Sequence, residues 1–106
     1  MILKIYTIFD RKAVAHHAPF YARSDGEAMR VVMESMQPGS KLVQWPDDYH
    51  LYGLGQFDDQ TGIIVGDDHP EPVASVKELH DQIVRDQQRR ISEQADLEQA
   101  ISEAAQ

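Results

Sequence analysis

The chain has 106 residues, with ten Lys/Arg against 18 Asp/Glu and a formal net charge of −8. This length is typical of one domain with a modest core, and the absence of cysteine excludes a disulfide framework and thiolate chemistry and suits a reducing cytoplasm. The charge is uneven, because residues 1–45 carry six basic and four acidic side chains (+2) whereas residues 46–106 carry four basic and fourteen acidic ones (−10). The molecule is therefore predicted to be bipolar, with a long-range field that repels polyanions unless its basic residues share one face.

Residues 2–9 are apolar on both faces of a strand, which predicts the middle strand of a sheet. The run is too short to span a bilayer and no cleavage signal follows it, so no membrane partner is expected. A turn at residues 10–12 precedes an extended segment over residues 13–23, which Pro19 interrupts. That segment is predicted to be an irregular edge strand.

Ser24 and Glu27 form a capping-box pattern, which predicts a helix start. The helix is expected to run to about Gln37, where Pro38-Gly39 stops it. Its predicted buried stripe consists of Ala28, Met29, Val32, Met33 and Met36.

The stretch from Trp45 to Gly62 predicts a hairpin. A strand from Tyr49 to Phe57 leads to a turn over residues 58–62 and a return strand over residues 63–65. Strict alternation places Tyr49, Leu51 and Phe57 on one face and His50, Tyr52, Leu54 and Gln56 on the other. Gly53 and Gly55 indicate a bulge or a close backbone approach.

Residues 66–72 contain two prolines and three acids, and they are predicted to be a linker without regular structure. Ser75 and Glu78 repeat the capping box and begin the last helix. Its apolar stripe consists of Val76, Leu79, Ile83, Ile91, Leu97, Ile101 and Ala104, and is interrupted by Gln87, Arg90 and Gln94. Residues 86–106 are expected to project from the domain, either as a frayed tail or as a helix completed by a second copy.

These elements predict an α+β fold, with a small antiparallel sheet of three to five strands, one packed helix and a long C-terminal helix. Residues 1–72 are assigned to the compact core and residues 73–106 to the C-terminal helix, whose distal part projects or mediates self-association.

No motif predicts catalysis, a cofactor or a metal site. His16 and His17 are adjacent and point to opposite faces of a strand, and His50, His69 and His80 have no zinc-like spacing. Paired acids such as Asp47/Asp48 are typical of solvated turns. A metal-dependent enzyme would require His16, His50 and His80 to converge in space.

The N-terminal half interleaves basic and aromatic residues, as a groove that binds single strands does. The predicted phosphate contacts are Lys4, Arg11, Lys12, Arg23 and Arg30, and the predicted stacking residues are Tyr6 and Tyr21. Against this interpretation, the sequence pI of about 4.9 is low for a dedicated nucleic-acid binder. Basic residues gathered on one face would favour DNA, whereas scattered ones would favour a protein–protein adaptor.

A longer pattern carries a family resemblance: Lys4-Ile5-Tyr6, Pro19-Phe20, and the run from Pro46-Asp47-Asp48-Tyr49 to Asp58-Asp59-x-Thr61-Gly62. With these residues the chain resembles the small non-structural protein of gokushoviruses, which are single-stranded DNA phages of the Microviridae. Trp45 departs from the histidine expected there, and the tail after Ser75 is longer and more charged than the usual family ending.

The resemblance implies a phage accessory protein that is made in the host cytoplasm, is absent from the virion and assists genome synthesis or packaging by binding DNA. The alternative is an acidic adaptor that self-associates through its C-terminal helix. It would bind the phage replication initiator or a host factor through residues 46–72 and that helix.

Overall fold

A computed structural model describes residues 1–105. The strands are β1 (Ile2–Asp10), β2 (Ala15–His16), β3 (Phe20–Ala22), β4 (Tyr49–Asp58) and β5 (Ile64–Ser75), and the α-helices are α1 (Asp25–Glu34), α2 (Lys41–Gln44) and α3 (Val76–Ala104). A 3₁₀ turn at Pro46–Asp48 leads into β4. The five strands form one antiparallel sheet, so the predicted α+β fold with a long C-terminal helix is confirmed.

Strand β1 lies in the middle of the sheet. It pairs with β2 and β3 along one edge and with β4 along the other, and β5 pairs with the far side of β4. Its central residues, Ile5 to Ile8, are buried, as the two-sided apolar pattern predicts. The segment before α1 is an edge strand split into two short pieces around Pro19, which confirms the predicted irregular edge.

The helices cover one face of the sheet. The buried strand residues of this face are Tyr6, Ile8, Ala22, Tyr49 and Leu51, and they form one cluster with Ala28 and Val32 of α1, Leu42 of α2, and Val76 and Leu79 of α3. The other face carries Leu3, Ile5, Thr7 and Phe9 of β1, none of which belongs to that cluster. We call this second face the open face.

Helix α1 begins where the capping box predicts, because the Ser24 side chain accepts a hydrogen bond from the Glu27 backbone N–H (3.2 Å). It ends at Glu34, three residues before the predicted Gln37. The reason is local: the Ser35 hydroxyl donates to the Val32 carbonyl oxygen (2.6 Å), which competes with the continuing helical ladder. The short helix α2, capped by Ser40, is absent from the sequence prediction.

A β-bulge in β4 changes which side chains share a face. Tyr6 of β1 pairs with Gly53 and Ile5 pairs with Gly55, so Leu54 has no partner on β1. Beyond this extra residue the alternation is inverted, and Phe57 lies opposite Leu3 on the open face. The predicted grouping of Phe57 with Tyr49 and Leu51 is therefore wrong, because strict alternation does not hold across a bulge.

Strand β5 is a second correction. The predicted linker at residues 66–72 lies within this edge strand, where Gly66 pairs with Gly55 and Glu71 pairs with Gly53. The prolines are tolerated because an edge strand leaves alternate N–H groups unpaired. Residues 67–70 have no partner on β4 and form a large bulge within the strand, which runs from Ile64 to Ser75, so the prediction of a linker without regular structure is wrong.

Helix α3 starts at the predicted cap, where the Ser75 hydroxyl oxygen accepts from the Glu78 backbone N–H (3.1 Å). Only Val76 and Leu79 of this helix are buried, and every described residue after Asp86 is exposed. The molecule therefore extends over 66 × 35 × 19 Å with a radius of gyration of 18.8 Å, against roughly 13 Å for a compact chain of this length. No helix within residues 1–105 is long and apolar enough to cross a membrane.

Candidate nucleic-acid interface

Four aromatic rings meet on the open face near the end of β1. Phe9 lies 4.8 Å from His16 and 6.3 Å from Tyr52 between ring centroids. The His16 and Tyr52 rings are 6.3 Å apart, and the His50 and Tyr52 rings are 6.5 Å apart. This arrangement, which we call the ring cluster, brings together residues of β1, β2 and β4.

A second aromatic pair lies at the other end of the open face. The Tyr21 and Phe57 rings are tilted against each other at 5.4 Å, and Tyr21 pairs across the sheet with Ile5. Ile5 and Phe9 are four positions apart along β1, so the pair and the ring cluster are roughly 13 Å apart. The rings of the open face therefore form two stacking surfaces along one strand.

The residues between these surfaces are buried although no helix covers them. Thr7 is 0% exposed, and its hydroxyl donates to the His17 carbonyl oxygen (2.8 Å), which ties β1 to the interrupted edge strand. Tyr21 is 47% exposed and His16 is exposed, whereas Phe9, Tyr52 and Phe57 are half-buried. The rings thus keep part of their surface in contact with solvent.

Basic charge borders the open face at the edge formed by β2 and β3. Arg11 and Lys12 lie in the turn between β1 and β2, where the Arg11 backbone N–H donates to the Asp48 carbonyl oxygen (2.8 Å). Arg23 directly follows β3, and all three side chains are exposed. The Asp10 carboxylate stabilises the turn by accepting from the Lys12 backbone N–H (2.9 Å).

The opposite edge is acidic. Asp67, Asp68 and Glu71 lie on the exposed outer strand β5, two of them in its unpaired bulge. The predicted bipolar charge therefore runs across the sheet, from a basic β2–β3 edge to an acidic β5 edge. A polyanion on the open face is attracted to the first edge and repelled by the second.

A groove of about 360 Å³ lies where β1 ends. It is lined by Lys12 and Lys41 together with Trp45, Asp10, Asp48 and Tyr49. The Trp45 side chain is 59% exposed. Two lysines beside an exposed indole offer cationic and stacking groups in one groove. Of Lys12, Lys41 and Trp45, only Lys12 was predicted from the sequence to contact nucleic acid.

The predicted contact residues separate into two groups. Arg11, Lys12, Tyr21 and Arg23 lie around the β2–β3 edge. Arg30 lies on α1, on the helix side of the sheet, and Lys4 lies on the same side, 3.9 Å from the Asp25 carboxylate. The basic side chains of the N-terminal half therefore do not share one face. By the charge criterion alone this outcome favours the protein–protein adaptor, so support for DNA binding comes from the rings of the open face.

Tyr6 is a correction to the predicted stacking residues. Its side chain is 1% exposed, its ring stacks on Phe20 at 5.8 Å, and its hydroxyl donates to the Asp25 carboxylate (2.6 Å). Burial, together with this hydrogen bond, raises the pKa of Tyr6. The ring belongs to the core and joins β1 to the start of α1, so it has no free face for a base.

The histidines do not form a chelating group. His16 contacts the ring cluster on the open face, while His17 packs against Tyr49 of the helix side at 5.7 Å. His50 contacts Tyr52 on the open face, and His80 lies on α3. Among the described residues, no group of three or more His, Asp or Glu side chains could hold a metal ion.

Sequence reasoning missed most of the rings on the open face. Phe9 reads as a core residue, and Tyr52 and Phe57 read as residues of opposite faces. Gly53 and Gly55 were the available signal, because they indicated a bulge without fixing the residue at which alternation inverts.

The chain matches one family model, described as Phage ORF5 protein, over residues 3–79. It has no significant match among curated proteins or among solved structures. The matched range covers 77 of 106 residues (3 to 79 inclusive), and it includes the whole sheet except Ile2, with every ring of the open face. Because the match extends over well more than half of the chain, the protein belongs to the Phage ORF5 protein family.

Proposed function

We propose that this phage protein is a non-enzymatic accessory factor that binds single-stranded DNA on the open face of its sheet. The observation that carries the proposal is the set of rings on that face: Phe9, His16, Tyr21, His50, Tyr52 and Phe57. Exposed aromatic side chains on a sheet can stack unpaired bases, because every base has a π-face. The resemblance to gokushoviruses, whose genomes are single-stranded DNA, supports the same ligand in genome synthesis or packaging in the host cytoplasm.

The charge distribution sets the path of the bound DNA across the sheet and limits the affinity of the protein for DNA. Arg11 and Lys12 lie in the β1–β2 turn and Arg23 follows β3, so the phosphates are expected along that side of the sheet and away from the acids of β5. With about three cations engaged, the logarithm of the binding constant should fall with the logarithm of salt concentration at a slope of about −2. Binding therefore depends more on stacking than on charge.

The test is a titration of a fluorescent oligothymidine with the full chain at low salt. Arg11→Glu/Lys12→Glu should weaken binding at least about tenfold, and Tyr21→Ser should weaken it about five- to a hundredfold, as expected for loss of one stacked base. Arg30→Glu is the matched control, because it reverses a charge on the helix side and should change affinity less than threefold. Absence of binding at low salt, or equal losses in Arg30→Glu and the edge variants, would refute the proposal.

A second candidate is a protein–protein adaptor, which the acidic edge favours. Residues 67–70 of strand β5 are unpaired, and Ile63, Ile64 and Val65 at the start of the strand are each about 60% accessible. An exposed strand edge of this kind can pair with a strand of another protein, such as the phage replication initiator or a host factor. Asp67→Lys/Asp68→Lys should then abolish co-purification of the co-expressed initiator and leave oligothymidine binding intact or stronger.

A further inference from the structure

The distal half of α3 is an exposed helix with an apolar stripe that nothing in the described chain covers. Ile91, Leu97 and Ile101 are 69%, 55% and 61% exposed. The exposed segment from residue 87 to residue 104 is about 27 Å long at 1.5 Å per residue. A helix of this length is marginal in water unless its apolar side packs against another surface.

The stripe is symmetric about Gln94. At 100° per residue, Arg90 and Glu98 lie about 40° to either side of Gln94, and Ile91 and Leu97 lie about 60° to either side. Gln87 and Ile101 lie within about 20° of it. A two-fold axis through Gln94 therefore exchanges the apolar Ile91 and Leu97 and sets Ile101 against Gln87 of the other copy, as an isologous antiparallel contact between identical patches would.

The same axis makes the charges complementary. It places Arg90 of one copy opposite Glu98 of the other, and this pair occurs twice, whereas Arg85 and Glu103 lie about 180° from Gln94 on the outer side of the helices. The remaining acids of the segment, Asp86, Glu93 and Asp96, face Ser102, Ala95 and Ser92, so no like charges oppose each other. Within residues 1–105 of a single chain, Arg90 forms no ion pair.

The same pairing places the end of the partner helix beside an apolar groove between α1 and α3. Ala105 of one copy falls opposite Ile83 of the other, and Ile83 lines a groove of about 560 Å³ between α1 and α3. Met29, Met33 and Met36 line the same groove with Leu79. Methionine side chains adapt to irregular apolar partners, so this groove can accommodate the last turn of a helix.

We propose that two copies of the chain pair through the distal half of α3, antiparallel and centred on Gln94, with each helix end at the methionine-lined groove of the other copy. The inference rests on α3 and not on the open face, so either proposal can fail while the other stands. It also places the two open faces at opposite ends of an elongated dimer.

Cysteine scanning tests the register directly, because the chain contains no cysteine of its own. Gln94→Cys lies on the proposed axis and should form a disulfide-linked dimer on oxidation, at least tenfold more than the control Ser92→Cys, which points about 160° away. Gln87→Cys and Ile101→Cys should each link poorly alone and well when mixed. Equal linking at 94 and 92, or efficient linking of Gln87→Cys alone, as a parallel pair would give, would overturn the proposal.

Charge reversal provides an independent readout in light scattering. The chain should have twice its 12.1 kDa monomer mass, and Arg90→Glu or Glu98→Arg should each shift it toward monomer. The double variant should restore the dimer. Arg90 and Glu98 are eight residues, or about 12 Å, apart on one helix, so rescue reports a contact between copies. A wild-type monomer at tens of micromolar, or single variants that stay dimeric, would refute the pairing.

Discussion

Replacing Gly55 by alanine is expected to destabilise the protein more than any other single-methyl addition in the sheet. A Cβ built at Gly55 would lie 2.2 Å from the Val65 carbonyl oxygen and 2.8 Å from the Gly66 Cα. Both neighbours are backbone atoms of β5, so no side chain can rotate away to relieve the overlap. The backbone at Gly55 also has φ +152°, which residues other than glycine rarely adopt.

The magnitude follows from these two costs. A sparsely populated backbone conformation costs about 1–3 kcal/mol, and forcing an extra methyl into packed surroundings costs about 1–3 kcal/mol. We therefore expect a loss of about 2–6 kcal/mol in the free energy of unfolding. With an unfolding entropy of about 2.1 cal/mol/K per residue, this corresponds to a drop in Tm of roughly 9–27 °C.

Two other glycines are matched controls. A Cβ at Gly53 meets nothing closer than 3.9 Å, so Gly53→Ala should change stability by less than about 1 kcal/mol. Gly62 has φ +76° with open space around it, so Gly62→Ala should cost only the conformational strain of about 1–2 kcal/mol.

The assay is urea and thermal unfolding of the three variants followed by circular dichroism. The nuclear Overhauser effect between the Tyr21 and Phe57 rings gives a second readout, because it is observed only when Phe57 lies on the open face. If Gly55→Ala is no less stable than Gly62→Ala and keeps that ring contact, the bulge does not depend on close approach of β5, and the reasoning is wrong.

Three further predictions concern single side chains. Tyr6→Phe should lower the free energy of unfolding by about 1 kcal/mol through loss of the hydrogen bond to Asp25 while leaving oligothymidine affinity unchanged. Because the folded-state pKa of Tyr6 is raised above 10.0, the wild-type stability from this group is complete below pH 10 and is lost as pH rises further, and Tyr6→Phe should reduce that alkaline loss in pH-dependent urea unfolding. Val14 has φ 52° and is 76% exposed, so Val14→Asn should raise Tm by a few degrees by relieving about 1 kcal/mol of strain, and a lower Tm would contradict this. Hydrogen bonds from the backbone N–H groups of Gln60 and Thr61 lower the pKa of Asp58. The stability that Asp58 provides is therefore present above its unfolded pKa and is lost as pH falls. In urea unfolding at a series of acidic pH values, the free energy of unfolding of Asp58→Asn should fall less with decreasing pH than that of the wild type.

Local sequence signals determined the parts of this fold that depend on neighbouring residues. Ser24 and Ser75 mark both long helix starts because each hydroxyl satisfies an N–H three residues on, which requires no tertiary contact. The Asp58–Gly62 turn is equally local, with the Gly62 N–H donating to the Asp58 carbonyl oxygen (2.8 Å). Residues 2–9 are apolar on both faces, which identified β1 as the central strand. A strand buries both of its faces when it is paired along both edges and side chains pack over each face of its middle residues.

Only the tertiary structure decided which rings share a face and which charges lie near them. Alternation is a rule for unbroken pairing, and the extra residue at Leu54 inverts it for everything that follows in β4. Strand β5 is held by pairing with β4, where Gly66 pairs with Gly55, 11 residues earlier in the chain. The residues next to Gly66 carry no sign of this pairing, so their proline-rich composition predicts a linker. Tyr6 is a tyrosine close to a lysine in the strand, as a base-stacking residue could be, yet it lies in the core. Its burial is set by α1 packing over β1 and not by the residues beside it in the chain.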